Sequence, residues 1–283
     1  LGYPDNRGTL PSTPTVPAAE DAGGSLPTVV TDASRQRPNF AVSEANFPRD
    51  LGCNGSYLVV RQLEQNVEAF RTFLEGAAKQ LENSDQLAWV DKHRDETLAD
   101  WIGAKMIGRW PNGLSMARHA YGGPKADRDK KGPTPDNRFR FGEDDPAGYN
   151  CPLSSHVRRA NPRDSFAPGS ADQRAITNRH RLLRMGRSYQ QDGQAGILFM
   201  CLNADIERQF EFVQQSWCLA TQFHGLDNEA DPILGRNNQT TTMTIPTPKG
   251  PIRIEGLKKF ITVRGGAYFF LPSRRAVRWL SQH

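Results

Sequence analysis

Two rhythms organise the apolar positions of this chain. "SYLVVRQL" (56–63) is β-branched and aromatic as a strand requires, and the following "EQNVEAFRTFLEGAAKQL" sets Val67, Phe70, Phe73, Leu74, Ala77 and Leu81 at helical spacing. A strand feeding a helix is expected there. A second helix fits "ETLADWIGAKMIGRW" (96–110), with "PNGL" as its breaker. Further along, "GILFMCLN" (196–203) has strand character, and "DIERQFEFVQQSWCLA" puts Ile206, Phe210, Val213 and Trp217 on one helical face. "KFITVRGGAYFFL" (259–271) reads as two strands split by glycines, and "SRRAVRWL" as a closing helix. Alternating strands and helices with hairpin-like pairs predict an α+β fold with antiparallel sheets rather than a doubly wound parallel one.

Two stretches interrupt these rhythms. Residues 1–50 concentrate proline and glycine with little apolar period, which predicts an extended arm that cannot fold alone. Residues 121–150 are rich in Gly, Pro, Asp and Lys, as in a long loop or domain boundary, where function often sits.

Composition narrows the partners. The 283 residues suffice for one large domain or two ordinary ones. A net charge of +5, with arginines scattered among acids, gives no reason to expect nucleic acid. No apolar run approaches the roughly 20 residues of a membrane span, so no membrane association is expected. Cys53, Cys151, Cys201 and Cys218 lie far apart without C-x-x-C spacing, which argues against a zinc knuckle or a disulfide framework and for free thiols in a reducing compartment.

Candidate chemistry gathers in "NCPLSSHVRRANPRDS" (150–165). From residue types alone His156 has two readings, a solvated loop histidine or a ligand, and only Cys151 stands near it as a second donor. The surrounding arginines read either as a solvated face or as bidentate partners for carboxylates.

The stretch "CPLSSHVRRANPRDS" resembles the C-P-x-x-x-H-x-R-x-x-N-P-R motif of the dye-decolorizing peroxidases, haem enzymes built from two ferredoxin-like α+β domains. "RHRLLRMGRSY" (179–189), "GILFMCLNADIERQFEFVQQSW", "DPILG" (231–235) and "VRGGAYFFLP" (263–272) are similar to further family segments in the same order. So are "LGYPDN", "NGSYLVVRQLEQNV" and "KMIGRWPNG" upstream. The resemblance implies haem b as cofactor, with hydrogen peroxide and a bulky organic electron donor as partners.

Residue by residue, it makes His156 the proximal iron ligand and Asp231 the acceptor of its other ring N–H. Arg184 corresponds to the distal arginine, Arg163 to the arginine that meets a haem propionate, and Ile197 and Phe199 to the apolar distal wall. Without the resemblance, Asp231 is a turn aspartate, Arg184 a surface charge, and the two apolar residues plain core. By residue type, Tyr189, Trp217, Tyr268 and Trp279 are candidate electron relays.

The family's distal aspartate, in a G-x-x-D-G motif, has no counterpart. The nearest string, "YQQDG" (189–193), lacks the first glycine and follows Arg184 instead of preceding it. In the family the motif precedes the segment matching "LGYPDN". The expectation is therefore a C-terminal portion, with residues 1–50 an arm, 51–125 the end of a first ferredoxin-like domain and 126–283 a second, haem-bearing one. An N-terminal companion polypeptide would complete the fold and supply the aspartate, and self-association is an open possibility. The alternative function is a non-catalytic haem carrier.

Overall fold

In this computed structural model the described residues are 55–281, apart from 83–84, 95, 123–136, 138, 192 and 239. The expected arm, Cys53 and Asp192 of "YQQDG" lie outside that set, as does the Trp279 side chain.

Strand β1 (Ser56–Gln65) feeds helix α1 (Val67–Leu81), as the pattern predicts. Asn66 caps the helix by accepting the Ala69 N–H at 2.8 Å. The α1 face carrying Phe73, Leu74 and Ala77 packs against α3 (Leu98–Ile107). α3 starts at a Thr97 cap and ends at Gly108, whose φ of 94° is left-handed, so it stops before "PNGL". Between them lies α2 (Asp85–His93), which the pattern did not reveal. Trp101, Ile102 and Met106 of α3 join a core with Met243 and Ile245 of β4 (Met243–Ile245) and Ile252 and Ile254 of β5 (Ile252–Ile254). Strands β4 and β5 form a two-stranded antiparallel sheet.

The main sheet has the order β2-β3-β1-β6, every pair antiparallel, from β2 (Leu183–Gln191), β3 (Gln194–Asn203), β1 and β6 (Ile261–Leu271). With helices after β1 and after β3, this is the ferredoxin-like β-α-β-β-α-β arrangement, so the α+β expectation holds. The sheet crosses the expected boundary near residue 125, because β1 pairs with β3 and β6 along almost its whole length.

Two further differences have physical causes. "KFITVRGGAYFFL" forms the single strand β6, not a pair. Gly266 makes room instead of turning: a Cβ there would come within 2.6 Å of the Arg61 side chain. Gln62 faces Gly265 while Leu63 faces Val263, leaving Arg264 in a bulge. The expected helix over "DIERQFEFVQQSWCLA" is wound as two π-helical segments, Glu207–Glu211 and Val213–Cys218. Their i→i+5 bonds, such as Glu211 N to Ile206 O at 3.0 Å, shift the apolar face. Ile206 and Phe210 therefore pack on the sheet, while Val213 and Trp217 join a separate cluster.

The 121–150 stretch holds the short helix α4 (Phe141–Asp144); α5 (His156–Ala160), α6 (Ala171–Asn178) and the C-terminal α7 (Arg274–Leu280) complete the described elements. Among the described residues no helix is long and apolar enough to cross a membrane.

Candidate functional site

His156 opens α5, a helix too short to hold itself in place. The preceding loop does so through buried polar groups. The Asp145 carboxylate accepts the Cys151 N–H at 2.7 Å and the Asn150 N–H at 3.1 Å, and Arg158 Nη1 donates to the Cys151 carbonyl at 2.8 Å and the Asp145 carbonyl at 3.0 Å. The Ser155 hydroxyl donates to the Lys105 carbonyl, tying the loop to α3. Arg158 and Arg159 are fully buried, so the solvated-face reading of these arginines is corrected. Arg159 Nε donates to the Trp217 carbonyl at 2.8 Å and Nη1 to the Glu229 carbonyl at 3.1 Å, with Nη2 on the Ala220 carbonyl. A guanidinium with five donors can span several carbonyls at once, which pays for its burial.

The His156 ring is 4% exposed, and its Nδ1 lies 2.8 Å from Oδ2 of Asp231, which is 75 positions away and fully buried. A carboxylate only accepts, so Nδ1 carries the shared proton. Asp231 Oδ1 accepts the Ile233 N–H at 2.8 Å and the Leu234 N–H at 3.0 Å, closing the turn of "DPILG". Burial alone would raise the Asp231 carboxyl, but the charge and hydrogen bond of His156 and the two backbone donors outweigh it and hold it below the ordinary value.

The other assigned residues occupy two places. Arg184 on β2 faces Cys201 on β3, and Gly186 and Ser188 face Phe199 and Ile197. Directly paired residues share a face, as do alternate residues along a strand, so Arg184, Ile197 and Phe199 lie on one side of the sheet. Phe210 packs there, its ring 6.3 Å from Phe199. Leu182 packs against this cluster and against the Val213, Trp217 and Cys218 cluster beside α5, so the two assigned groups border a common apolar seam. Arg163 sits apart at a φ of 55°, its guanidinium 3.8 Å from the Phe139 ring centre and its Nη1 2.7 Å from the carbonyls of both Asn137 and Phe139.

Of the relay candidates, Trp217 is buried, Tyr189 is half-buried, and Tyr268 is 44% exposed with its hydroxyl donating to Glu211 at 2.8 Å. Sequence reasoning missed Cys218, whose Sγ lies within 4.8 Å of the ligand atoms of His156 and Asp231. It also missed the clamping roles of Arg159 and Lys105. Nothing in residue spacing could have signalled them, because their partners are backbone carbonyls far away in sequence.

The donor set suits a haem iron. With its Nδ1–H engaged by a carboxylate, His156 would hold the iron through Nε2, giving up any proton there, and the buried acceptor would raise its basicity.

Several known proteins match. Multifunctional dye peroxidase DyP2 of Amycolatopsis sp. is 29% identical over 258 residues, covering 80% of this chain and 49% of that protein. Dye-decolorizing peroxidase msp1 of Mycetinis scorodonius is 27% identical over 254 residues, covering 80% and 46%. The crystal structure of the Anabaena sp. DyP-type peroxidase superposes with a TM-score of 0.62 at 29% identity, over 80% of this chain and 46% of that one. The chain spans about half the length of the curated relatives it matches. Residues 32–242 match the family profile described as "Dyp-type peroxidase, C-terminal", and the chain belongs to that family, whose cofactor is haem b.

Proposed function

We propose that this chain forms the haem-holding part of a peroxidase that reduces hydrogen peroxide and oxidises bulky aromatic donors. The observation that carries the reading is the buried His156–Asp231 pair, with Nδ1 committed at 2.8 Å and the opposite ring nitrogen left as the ligand atom. Bound haem b supplies the redox centre that accepts two oxidising equivalents from peroxide and returns them one at a time to donors. His156 would hold the iron through Nε2, with Asp231 holding its Nδ1 proton and ring orientation. Arg184 presents a permanently charged, forked donor that stabilises negative charge developing on a peroxide oxygen. Ile197 and Phe199 would limit water beside Arg184, and Arg163 would hold a propionate with its guanidinium steadied by Phe139.

The proton shuttle between peroxide oxygens needs an acid–base group that no residue of this chain matches by motif. We assign it to an aspartate on a companion polypeptide corresponding to the part of the relatives that this chain does not span. Tyr268, exposed and bonded to a carboxylate, is the relay candidate best placed to meet a donor too large to reach the haem. Self-association remains part of the proposal.

Haem reconstitution tests the reading. The wild-type chain is expected to develop a Soret band that shifts on adding peroxide once the companion is present, His156→Ala to lose the band, and Arg184→Leu to keep it while slowing the shift about a hundredfold, the scale of losing one preorganised donor. A band indifferent to His156→Ala overturns the ligand assignment. A His156-dependent band inert to peroxide, even with the companion present, leaves a haem carrier.

A further inference from the structure

The Asp231 carboxylate serves more than His156. A carboxylate accepts about four hydrogen bonds. Ile233 and Leu234 N–H take Oδ1, and His156 takes one position on Oδ2, so one acceptor position on Oδ2 is left. Cys218 stands close by: its Sγ, a ring nitrogen of His156 and a carboxylate oxygen of Asp231 lie within 4.8 Å of one another, and all three side chains are buried. The Cys218 carbonyl accepts the Asp231 N–H at 3.1 Å, so the backbone holds the thiol beside the carboxylate. A thiol carries one S–H donor, and the Asp231 carboxylate is an acceptor within its neighbourhood. Arg159 reinforces the arrangement. Its bonds to the carbonyls of Trp217, Ala220 and Glu229 bracket Cys218 and Asp231, and its charge faces the same carboxylate.

We propose that Cys218 is a positioning residue whose S–H donates to Asp231, with Arg159 fixing the two segments, so that Asp231 draws less on the Nδ1 proton of His156. This rests on the haem reading above, and its consequence is a less electron-donating axial ligand than the His156–Asp231 pair alone would provide.

The test is spectroelectrochemical titration of the haem-loaded full chain. Cys218→Val keeps the site apolar and removes the donor. It is expected to lower the ferrous-to-ferric ratio at a fixed potential about tenfold, which for one electron is about 59 mV. Cys218→Ser restores a donor and is expected to recover most of that shift, which a purely packing role would not. Cys218→Ala provides a second donor-free variant should valine hinder folding. A wild-type chain without a His156-dependent Soret band overturns the haem reading and this inference with it. An intact band with the same potential in wild type and in the donor-free variants, whatever their melting temperatures, overturns this inference alone.

Discussion

Asp231 shows how much one buried side chain can be asked to do. It receives two backbone N–H groups and the His156 ring at a position with no exposed surface. Truncation to alanine leaves three buried donors without partners, and Asp231→Ala is expected to cost about 3–5 kcal/mol in chemical unfolding, the range for breaking a buried charged pair. The pH dependence follows from the direction of its shift. A carboxyl held below its ordinary value of 3.8 contributes stability above that pH and loses it as pH falls through the lower, folded value. Acid unfolding followed by circular dichroism should therefore show a steeper loss below pH 3.8 in the wild type than in Asp231→Asn.

Helix α3 carries an unusual burden for a ten-residue element: a lysine with no exposed surface. Lys105 Nζ donates to the Tyr149 carbonyl at 2.8 Å and the Asn150 carbonyl at 2.6 Å, and lies 5.1 Å from the Trp101 ring and 5.2 Å from that of Tyr121. These contacts tie α3 to the residues just before the His156 loop. Burial pushes the ammonium down from 10.5 to about 7, against the opposing pull of Cys151 and Asp145. Between those two values the unfolded chain binds more protons than the folded one, so this group makes stability rise with pH, with a limiting slope of about 1.4 kcal/mol per unit. Urea unfolding at pH 7 and pH 8.5 is expected to show that rise in the wild type and a flatter response in Lys105→Met. An equal slope in both would assign the proton to another group.

At the scale of the molecule, the main sheet is unevenly covered. The face with Val59, Phe199 and Cys201 packs on Phe210, whereas the opposite face carries Met185, Met200 and Val60 in one row, and Met185 and Phe269 are 48% and 49% exposed. The β6 edge adds exposed Phe270 and Leu271. If the proposed companion seats on that face, Met185→Lys with Phe269→Lys should abolish its association in analytical ultracentrifugation while leaving the Soret band of this chain in place. Unchanged association would move the companion elsewhere, and loss of self-association alone would point to a second copy as the occupant.

Where a segment's own composition decides its structure, the reading from sequence held. β1 and α1 follow from β-branched density and 3.6-residue spacing, because each buries one face and needs only local geometry to do so. β2 was invisible: "LRMGRSYQQ" is an edge strand with little buried surface, so no apolar alternation marks it. The π winding after β3 and the straight run of β6 through Gly265 and Gly266 depend on what packs against them, which spacing along a chain does not encode. The sequence by itself determined β1, α1, α3 and β3 and the antiparallel α+β class, and motif resemblance pointed to His156, Asp231 and Arg184 as site candidates. Only the tertiary structure decided that His156 meets Asp231 across 75 positions, that Cys218 stands beside both, and that Arg158, Arg159 and Lys105 are internal clamps. The physical reason is that burial and hydrogen-bond partnership are properties of what the fold brings near, and a charged residue reads as solvent-facing until three carbonyls are found around it.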